Sequence, residues 1–289
     1  MKDIVKVENI SYIYGEGTPF RVVALDDVSL NIRQGKFTGI IGHTGSGKST
    51  LLQMLNGLVK PHTGRIIIGD DDIYSNKKLR SKACFRVGLV FQYPEYQLFE
   101  DTVRRDIAFG PKNMGLSEQE IEERVLYASR FVGIDKEMLE KSPFDLSGGQ
   151  KRRVAIAGIL AMRPEILVLD EPASGLDPVG RSEIFGGLDA YRKETGTTVV
   201  VVSHSMEDMA RYADDLVVFE NGKVIMQGTK EEVFEKEDEL RRISLELPRI
   251  TRLVRRLADL GLDIPRNIYT VDSAADAILA LESGGDRRC

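Results

Sequence analysis

Only two cysteines occur, Cys84 and Cys289. They are too few and too far apart for a disulfide scaffold or a zinc site, and a reducing compartment suits them. No apolar run approaches the ~20 residues that span a bilayer, so if a membrane matters here another chain crosses it. Basic residues are not in surplus: 40 Lys and Arg against 45 Asp and Glu give a net charge of -5, which argues against nucleic acid as the partner. The opening "MKDIVKVENI" reads as a strand and lacks the features of a secretory leader. Neither an internal repeat nor a low-complexity segment is found. What is present, 42% hydrophobic and 29% charged residues over 289 positions, describes a large globular α/β domain with an appendage.

Alternating apolar residues in "IVKVENISYIY" and "ALDDVSLNI" predict half-buried antiparallel strands. The stretch "KFTGIIG" predicts a buried strand, followed by a glycine-rich turn and a helix through "STLLQMLNGL". "RVGLVF", "EILVLD" and "TTVVVVS" are short continuous apolar runs, as parallel strands covered on both faces require. Between them "LSEQEIEERVLYASRFVG" predicts an amphipathic helix with Ser117 and Glu120 as a capping box. "LVVFENGKVIMQG" predicts a hairpin turning at Asn221-Gly222. Strands alternating with helices imply a doubly wound α/β core. After Gly228 the composition shifts to helical periodicity, with Thr229 and Glu232 as a further capping box. Ile250, Leu253, Leu257 and Leu260 are expected on one helical face, Arg249, Arg252 and Arg256 on the opposite one, and Gly261 at the helix stop. Residues 1–228 are therefore read as one domain and 229–289 as a small, mainly helical appendage, its leucines packing within it or against a partner's tail.

"GHTGSGKS" (Gly42, His43, Thr44, Gly45, Ser46, Gly47, Lys48, Ser49) fits G-x-x-x-x-G-K-[ST] between a predicted strand and helix. Gly45 and Gly47 let the backbone curl so that its N–H groups point at phosphate oxygens, and the helix start adds its positive dipole end. Lys48 would reach the β- and γ-phosphates of a nucleotide, and the Ser49 hydroxyl would ligate magnesium; the ring of His43 reads as a loop residue. "ILVLDEP" ends a buried strand on two carboxylates. Asp170 suits a magnesium ligand acting through water, and Glu171 could orient and deprotonate an attacking water; an acidic pair alone would more often be a solvated edge. In "DLSGGQKRR", Ser147, Gly148, Gly149 and Gln150 open a helix and make a second cluster of free N–H groups, unless Ser147 is simply a cap. One nucleotide cannot use two such clusters far apart on one subunit, so a dimer in which each cluster completes the partner's site is expected. His204 emerges at the end of an apolar strand, beside the other strand-end groups. Tyr14 could stack on a purine base or be an ordinary surface tyrosine. "FQYPEYQLFE" (Phe91–Glu100) is too polar for a core strand and too aromatic for a solvent loop. Tyr93, Tyr96, Leu98 and Phe99 are expected to wall a groove rimmed by Glu95, Glu100 and Asp101, suited to a basic amphipathic helix of another chain.

The order Tyr14, Gly42–Thr50, Gln92, "LSGGQ", "ILVLDEP", "SGLD" and His204 resembles the ATP-binding cassette ATPases over about residues 3–228. The resemblance implies a P-loop α/β fold with an antiparallel β subdomain and a mobile helical subdomain over about 93–163. It also implies ATP hydrolysis with Mg2+ and two ATP molecules sandwiched head to tail between two subunits. It adds Thr50 to the nucleotide site, gives Gln92 a place at the magnesium and attacking water, and sets Asp177 across the dimer seam. More narrowly, "VFQYPEYQLFEDTV" and the tail "PRITRLVRRLADLG" look like the ATPase subunits of energy-coupling factor transporters, which take up vitamins or metal ions. That resemblance implies a second ATPase subunit (a paralogue or another copy), a transmembrane coupling protein, a substrate-binding membrane protein, and a place on the cytoplasmic face of the membrane. The ATPase of another importer is the alternative. Cassettes of DNA repair carry a long coiled coil and those of translation carry two cassettes, neither of which is found here. Glu171 and His204 argue against a regulatory cassette that does not hydrolyse.

Overall fold

The computed structural model describes residues 2–285, so Cys289 lies outside the described residues; Cys84 is a free thiol. Alternation in the first 33 residues gives β1 (Asp3–Tyr14) and β2 (Val22–Arg33), paired antiparallel. Val5, Val7 and Ile10 face inward with Leu25, Val28, Leu30 and Ile32. The next strand, β3 (Phe37–Gly42), is buried at every position and leads through the glycine-rich loop into α1 (Lys48–Leu55). Then β4 (Thr63–Ile68) and β5 (Asp71–Asp72) return to the first sheet, whose order is β2-β1-β4-β5.

The chain continues through α2 (Lys77–Arg86) to β6 (Val87–Val90) and a 3-10 turn at Pro94–Gln97. Four helices follow: α3 (Val103–Asn113), α4 (Glu118–Phe131), α5 (Lys136–Leu139) and α6 (Gly148–Ala161). The expected Ser117–Glu120 capping box opens α4. After β7 (Ile166–Asp170) come α7 (Pro178–Thr195), β8 (Thr198–Val202), α8 (Met206–Tyr212), β9 (Asp215–Glu220) and β10 (Lys223–Thr229). The second sheet has the order β10-β9-β3-β8-β7-β6. Its strands are parallel except β10, which turns back through Asn221 and Gly222, both at positive φ, as a tight hairpin requires.

Why the central strands read as continuous apolar runs is visible in the two cores. Ile166, Val168, Val200 and Val202 face the antiparallel sheet and α1. Leu167, Leu169, Val199 and Val201 face the helices on the other side. A strand covered on both faces has no position left for a polar residue. The carboxyl ends of β3, β7 and β8 come out along one edge, where open α/β sheets bind ligands.

After β10 the described residues hold helices only: α9 (Lys230–Glu235), α10 (Glu237–Arg242), α11 (Arg249–Asp259) and α12 (Val271–Gly285). Thr229 and Glu232 form the expected capping box, and Gly261 takes φ +96° just beyond α11. The apolar face of α11 is rotated from the expected one. Ile250, Val254 and Leu257 pack with Ile264, Ile268 and Ala274 in a small separate core. Leu253 and Leu260 are 52% and 71% exposed. A short helix meets its neighbour along one narrow stripe, and Val254 sits nearer its centre than the two leucines do.

Candidate nucleotide site

At the strand-end edge a cleft of about 290 Å3 is lined by Tyr14, Thr44, Gly45, Gly47, Lys48, Ser49, Thr50, Gln92, Asp170, Glu171 and His204. These residues come from β1, the β3–α1 loop, the first turn of α1, and the ends of β6, β7 and β8. The loop's shape rests on glycine: Gly47 sits at φ +99°, and a Cβ there would lie 2.2 Å from the Ala24 carbonyl oxygen. Gly42 is equally confined, 2.2 Å from the Phe219 carbonyl oxygen.

Lys48 curls back over its own loop. Its Nζ donates to the carbonyls of Gly42 (2.8 Å) and His43 (2.5 Å) and to Ser46 Oγ (3.2 Å). Burial lowers its pKa, opposed by the charges of Glu171 and Asp170. Thus Ser46 and the backbone of Gly42 and His43 serve the lysine and do not line the cleft, and the His43 ring is turned out of it. Tyr14 Oη lies 3.3 Å from Thr50 Oγ1, which fixes the ring at the mouth.

Glu171 has φ +50°, a left-handed conformation that costs a non-glycine residue free energy and that clusters at functional sites. Its carboxyl is pushed up to about 7, first by burial and then by the charge of Asp170, with Lys48 and the His204 backbone amide opposing. Oε1 has no hydrogen-bond partner, although His204 Nε2 lies 3.3 Å away. The imidazole is close enough to feel the carboxylate but is not aligned to donate to it. Burial, Lys48 and His43 lower the pKa of His204 itself. Behind Glu171 a second cavity of about 350 Å3 is lined by Ser174, the first residue of "SGLD", and by Arg181, Ser203 and Asp208, to which sequence reasoning gave no role.

Ser49, Gln92 and Asp170 put a hydroxyl, an amide and one carboxylate along the same cleft. Among the described residues no group of three or more His, Cys, Asp or Glu is arranged to hold a metal ion. That donor set fits a cation that keeps several waters and takes its other ligands from substrate phosphates, as Mg2+ does.

The other anion-binding candidates lie apart from this cleft. Ser147, Gly149, Gln150 and Asp177 line a separate depression of about 530 Å3 with Arg153 and Glu183. Ser147 and Gln150 make a reciprocal cap: Ser147 Oγ accepts from the Gln150 N–H at 3.3 Å, and Gln150 Oε1 accepts from the Ser147 N–H at 2.9 Å. The cap thus needs Gln150 as well as Ser147, whereas neither Gly148 nor Gly149 takes part through a side chain. Asp177 caps α7 through the Gly180 N–H at 2.7 Å.

Sequence reasoning missed Val22 and Ala24, which line the cleft beside Tyr14. The pairing of Tyr14 with Val22 across β1 and β2 could have disclosed them. It also missed Arg152, whose side chain joins Glu95 to the Ser174 carbonyl.

A family model described as "ABC transporter" matches residues 25–174. The chain belongs to the ABC transporter family. It is 54% identical over 275 residues to the energy-coupling factor transporter ATP-binding protein EcfA2 of Caldanaerobacter subterraneus, covering 95% of this chain and 96% of that one. To the EcfA2 protein of Clostridium tetani it is 51% identical over 286 residues, covering 99% of each. Among solved structures, cbiO1 from Clostridium perfringens, described as part of the ABC transporter complex cbiONQ, has a TM-score of 0.75 and 42% identity. That match covers 88% of this chain and all of the other. A dimeric cassette, MJ0796, described in a post-hydrolysis state with ADP and Pi, has a TM-score of 0.70 and 31% identity. It covers 78% of this chain and 98% of that one. As an ABC ATPase the chain couples ATP hydrolysis to transport, the activity expected from its motifs. No helix of the described residues is long and apolar enough to cross a membrane.

Proposed function

We propose that this chain is one of two ATPase subunits powering an energy-coupling factor importer of a vitamin or metal ion. In this reading it sits at the cytoplasmic face beneath a transmembrane coupling protein and a substrate-binding membrane protein. The observation that carries the reading is the convergence of Lys48, Ser49, Gln92, Asp170, Glu171 and His204 on one cleft, in a chain about half identical to EcfA2 proteins. Loop N–H groups and Lys48 hold the β- and γ-phosphates, and Tyr14 stacks on the base. Ser49, Gln92 and Asp170 would hold Mg2+, which offsets phosphate charge when bound. Glu171 takes a proton from the attacking water, and His204 orients the γ-phosphate beside it.

The separation of the cleft from Ser147, Gly149 and Asp177 supports a head-to-tail dimer in which these groups reach the partner's nucleotide. The Ser147 hydroxyl spends only an acceptor position on its cap, so its O–H remains to donate. The exposed Leu253 and Leu260 support a further role for the C-terminal helices in holding the pair together. ATP should shift the Glu171→Gln variant toward a dimer on sizing columns, alone or mixed with a paralogue, because ATP bound in both sites favours the closed form by mass action. No shift in either mixture would refute the dimer.

The aromatic stretch 91–100 supports the docking part. Its groove, about 390 Å3, is walled by Phe85, Leu98, Phe99, Phe109 and Met162, with Asp106 at its edge. Phe99 and Phe109 meet edge to face at 4.9 Å. Tyr93 and Tyr96 lie outside it, Tyr96 being 85% exposed, and Glu95 is committed to Arg152. The acid at this groove is therefore Asp106, with Glu100 and Asp101 nearby, and the occupant we assign is a basic amphipathic helix of the coupling protein. Phe99→Ala with Phe109→Ala should impair membrane-subunit binding and uptake while the isolated subunit's ATPase changes less than about twofold, since the groove and the cleft share no lining residue. Normal assembly and uptake in that variant would remove the assignment.

A further inference from the structure

The C-terminal segment touches the nucleotide site at a point that phosphate chemistry does not require. His43 Nε2 lies 2.5 Å from the carbonyl oxygen of Ile243, the residue that ends α10. A carbonyl only accepts, so Nε2 carries the hydrogen in this contact. The main chain of the same residue accepts from Lys48 Nζ, also at 2.5 Å. His43 is thus bonded through its ring to the C-terminal arm and through its carbonyl to the phosphate-binding lysine.

A second attachment lies at α8, the helix that follows His204. Leu240 and Leu247 of the arm are buried in the same core as Met206, Met209 and Ala210 of α8. The Arg249 N–H points at Glu207 Oε1 from 3.5 Å. Ser205, next to His204, caps α8. The arm is in turn clamped to the terminal helices: Arg255 on α11 donates to Glu237 Oε2 at 2.6 Å and to the Phe234 carbonyl at 3.1 Å. Tyr269, leading into α12, meets Phe234 at 5.4 Å. Displacement of α11 and α12 would therefore reach Ile243.

We propose that His43 is a positioning residue through which the C-terminal arm, residues 230–247, restrains the phosphate loop. Lys48 must leave the His43 carbonyl to reach a phosphate, and the His43 peptide is then free to reorient. The bond to Ile243 anchors the same residue whose carbonyl holds Lys48 back, so it opposes nucleotide binding. By reciprocity, nucleotide binding loosens the arm by the same factor as the arm weakens binding. This inference rests on ATP binding by the single chain and is independent of any membrane partner.

The test uses the full chain with MgATP, comparing the wild type with His43→Ala and His43→Gln. His43 is exposed, so neither replacement opens a cavity. Loss of one hydrogen bond of ordinary strength should tighten ATP binding of His43→Ala by about 3–10-fold. His43→Gln, whose amide can still donate to Ile243, should stay within about twofold of the wild type. Amide hydrogen exchange supplies the readout that a purely local role would not move. ATP should speed exchange over 240–247 in the wild type, and His43→Ala should show the fast rate without nucleotide. Unchanged or weaker binding in His43→Ala would overturn the proposal, and so would exchange over 240–247 that ignores ATP.

Discussion

Glu171→Gln should lower ATP turnover at least ~100-fold and leave ATP affinity close to that of the wild type, the effect expected when general-base work is lost. The amide keeps the size and one acceptor of the carboxylate but cannot take a proton. What makes the carboxylate fit for the task is its environment. Burial and the neighbouring Asp170 hold its pKa up to about 7, so near neutrality it is poised to accept a proton and give it up again. Lys48→Ala should fail earlier, at affinity, because Lys48 is the cation of the phosphate loop. Single-turnover rates and equilibrium binding measured on one preparation separate the two defects. Turnover within tenfold of the wild type in Glu171→Gln would remove Glu171 from the mechanism. The same substitution should also stabilise the chain when nucleotide and magnesium are absent. The folded-state pKa is raised from 4.5 to about 7, so the stability this carboxyl contributes is fully present below pH 4.5 and is lost as pH rises through about 7. The melting temperature of Glu171→Gln should therefore exceed the wild type's by a margin that grows between pH 5 and 8. A margin that is flat with pH would mean that Glu171 is better solvated than its burial indicates.

Much of this molecule was legible because its chemistry is local. A run such as "TVVVV" has no polar position and can only be a strand covered on both faces, as β8 is. The phosphate loop announces itself because Gly47 admits no side chain at its backbone angle or in its space. Where tertiary partners decide, the sequence is silent. Helix α2 carries six charges or polar groups with no apolar stripe, and only Ala83 among its residues is buried. Helix α3 contains Gly110 and Pro111, which read as breakers, yet Ile107 and Ala108 hold it in the helical core. Strand β5 is two aspartates, a strand only because Ile67 and Ile68 offer it an edge. The groove beside 91–100 has Leu98 and Phe99 of its expected walls but not Tyr93 or Tyr96, and its other walls come from residues as distant as Phe85 and Met162. Glu95 shows the same limit. Its partner lies 57 positions away, and nothing near it in the chain marks it as the anion of a largely buried pair.

That partner, Arg152, should be one of the most costly surface-to-core contacts to break. It lies one turn into α6, past the Ser147–Gln150 cap, with its side chain 5% exposed and that of Glu95 15% exposed. Arg152 Nε and Nη2 donate to the two Glu95 oxygens at 3.1 and 2.9 Å, and Nη1 donates to the Ser174 carbonyl. Removing one member of a buried, bidentate pair strands the other's charge, at a cost of about 3–5 kcal/mol. Arg152→Ala should therefore lower stability by that order in chemical denaturation. Adding Glu95→Ala should restore part of the loss, since the stranded carboxylate goes with it, and the double-mutant cycle should give a coupling of at least ~1.5 kcal/mol. A coupling near 0–1 kcal/mol would mean that the pair is hydrated like an exposed one. The functional effect should exceed what lost stability explains. The three bonds tie the 94–97 turn beside the Phe99 groove, the start of α6 and the loop that follows Glu171 into one rigid piece. Without them Ser174 and the Asp177 cap lose their fixed distance from Ser147. Arg152→Lys keeps the charge but lacks the planar fork needed to hold Glu95 and Ser174 together. Its ATPase should fall toward that of Arg152→Ala even at temperatures where the lysine variant remains folded.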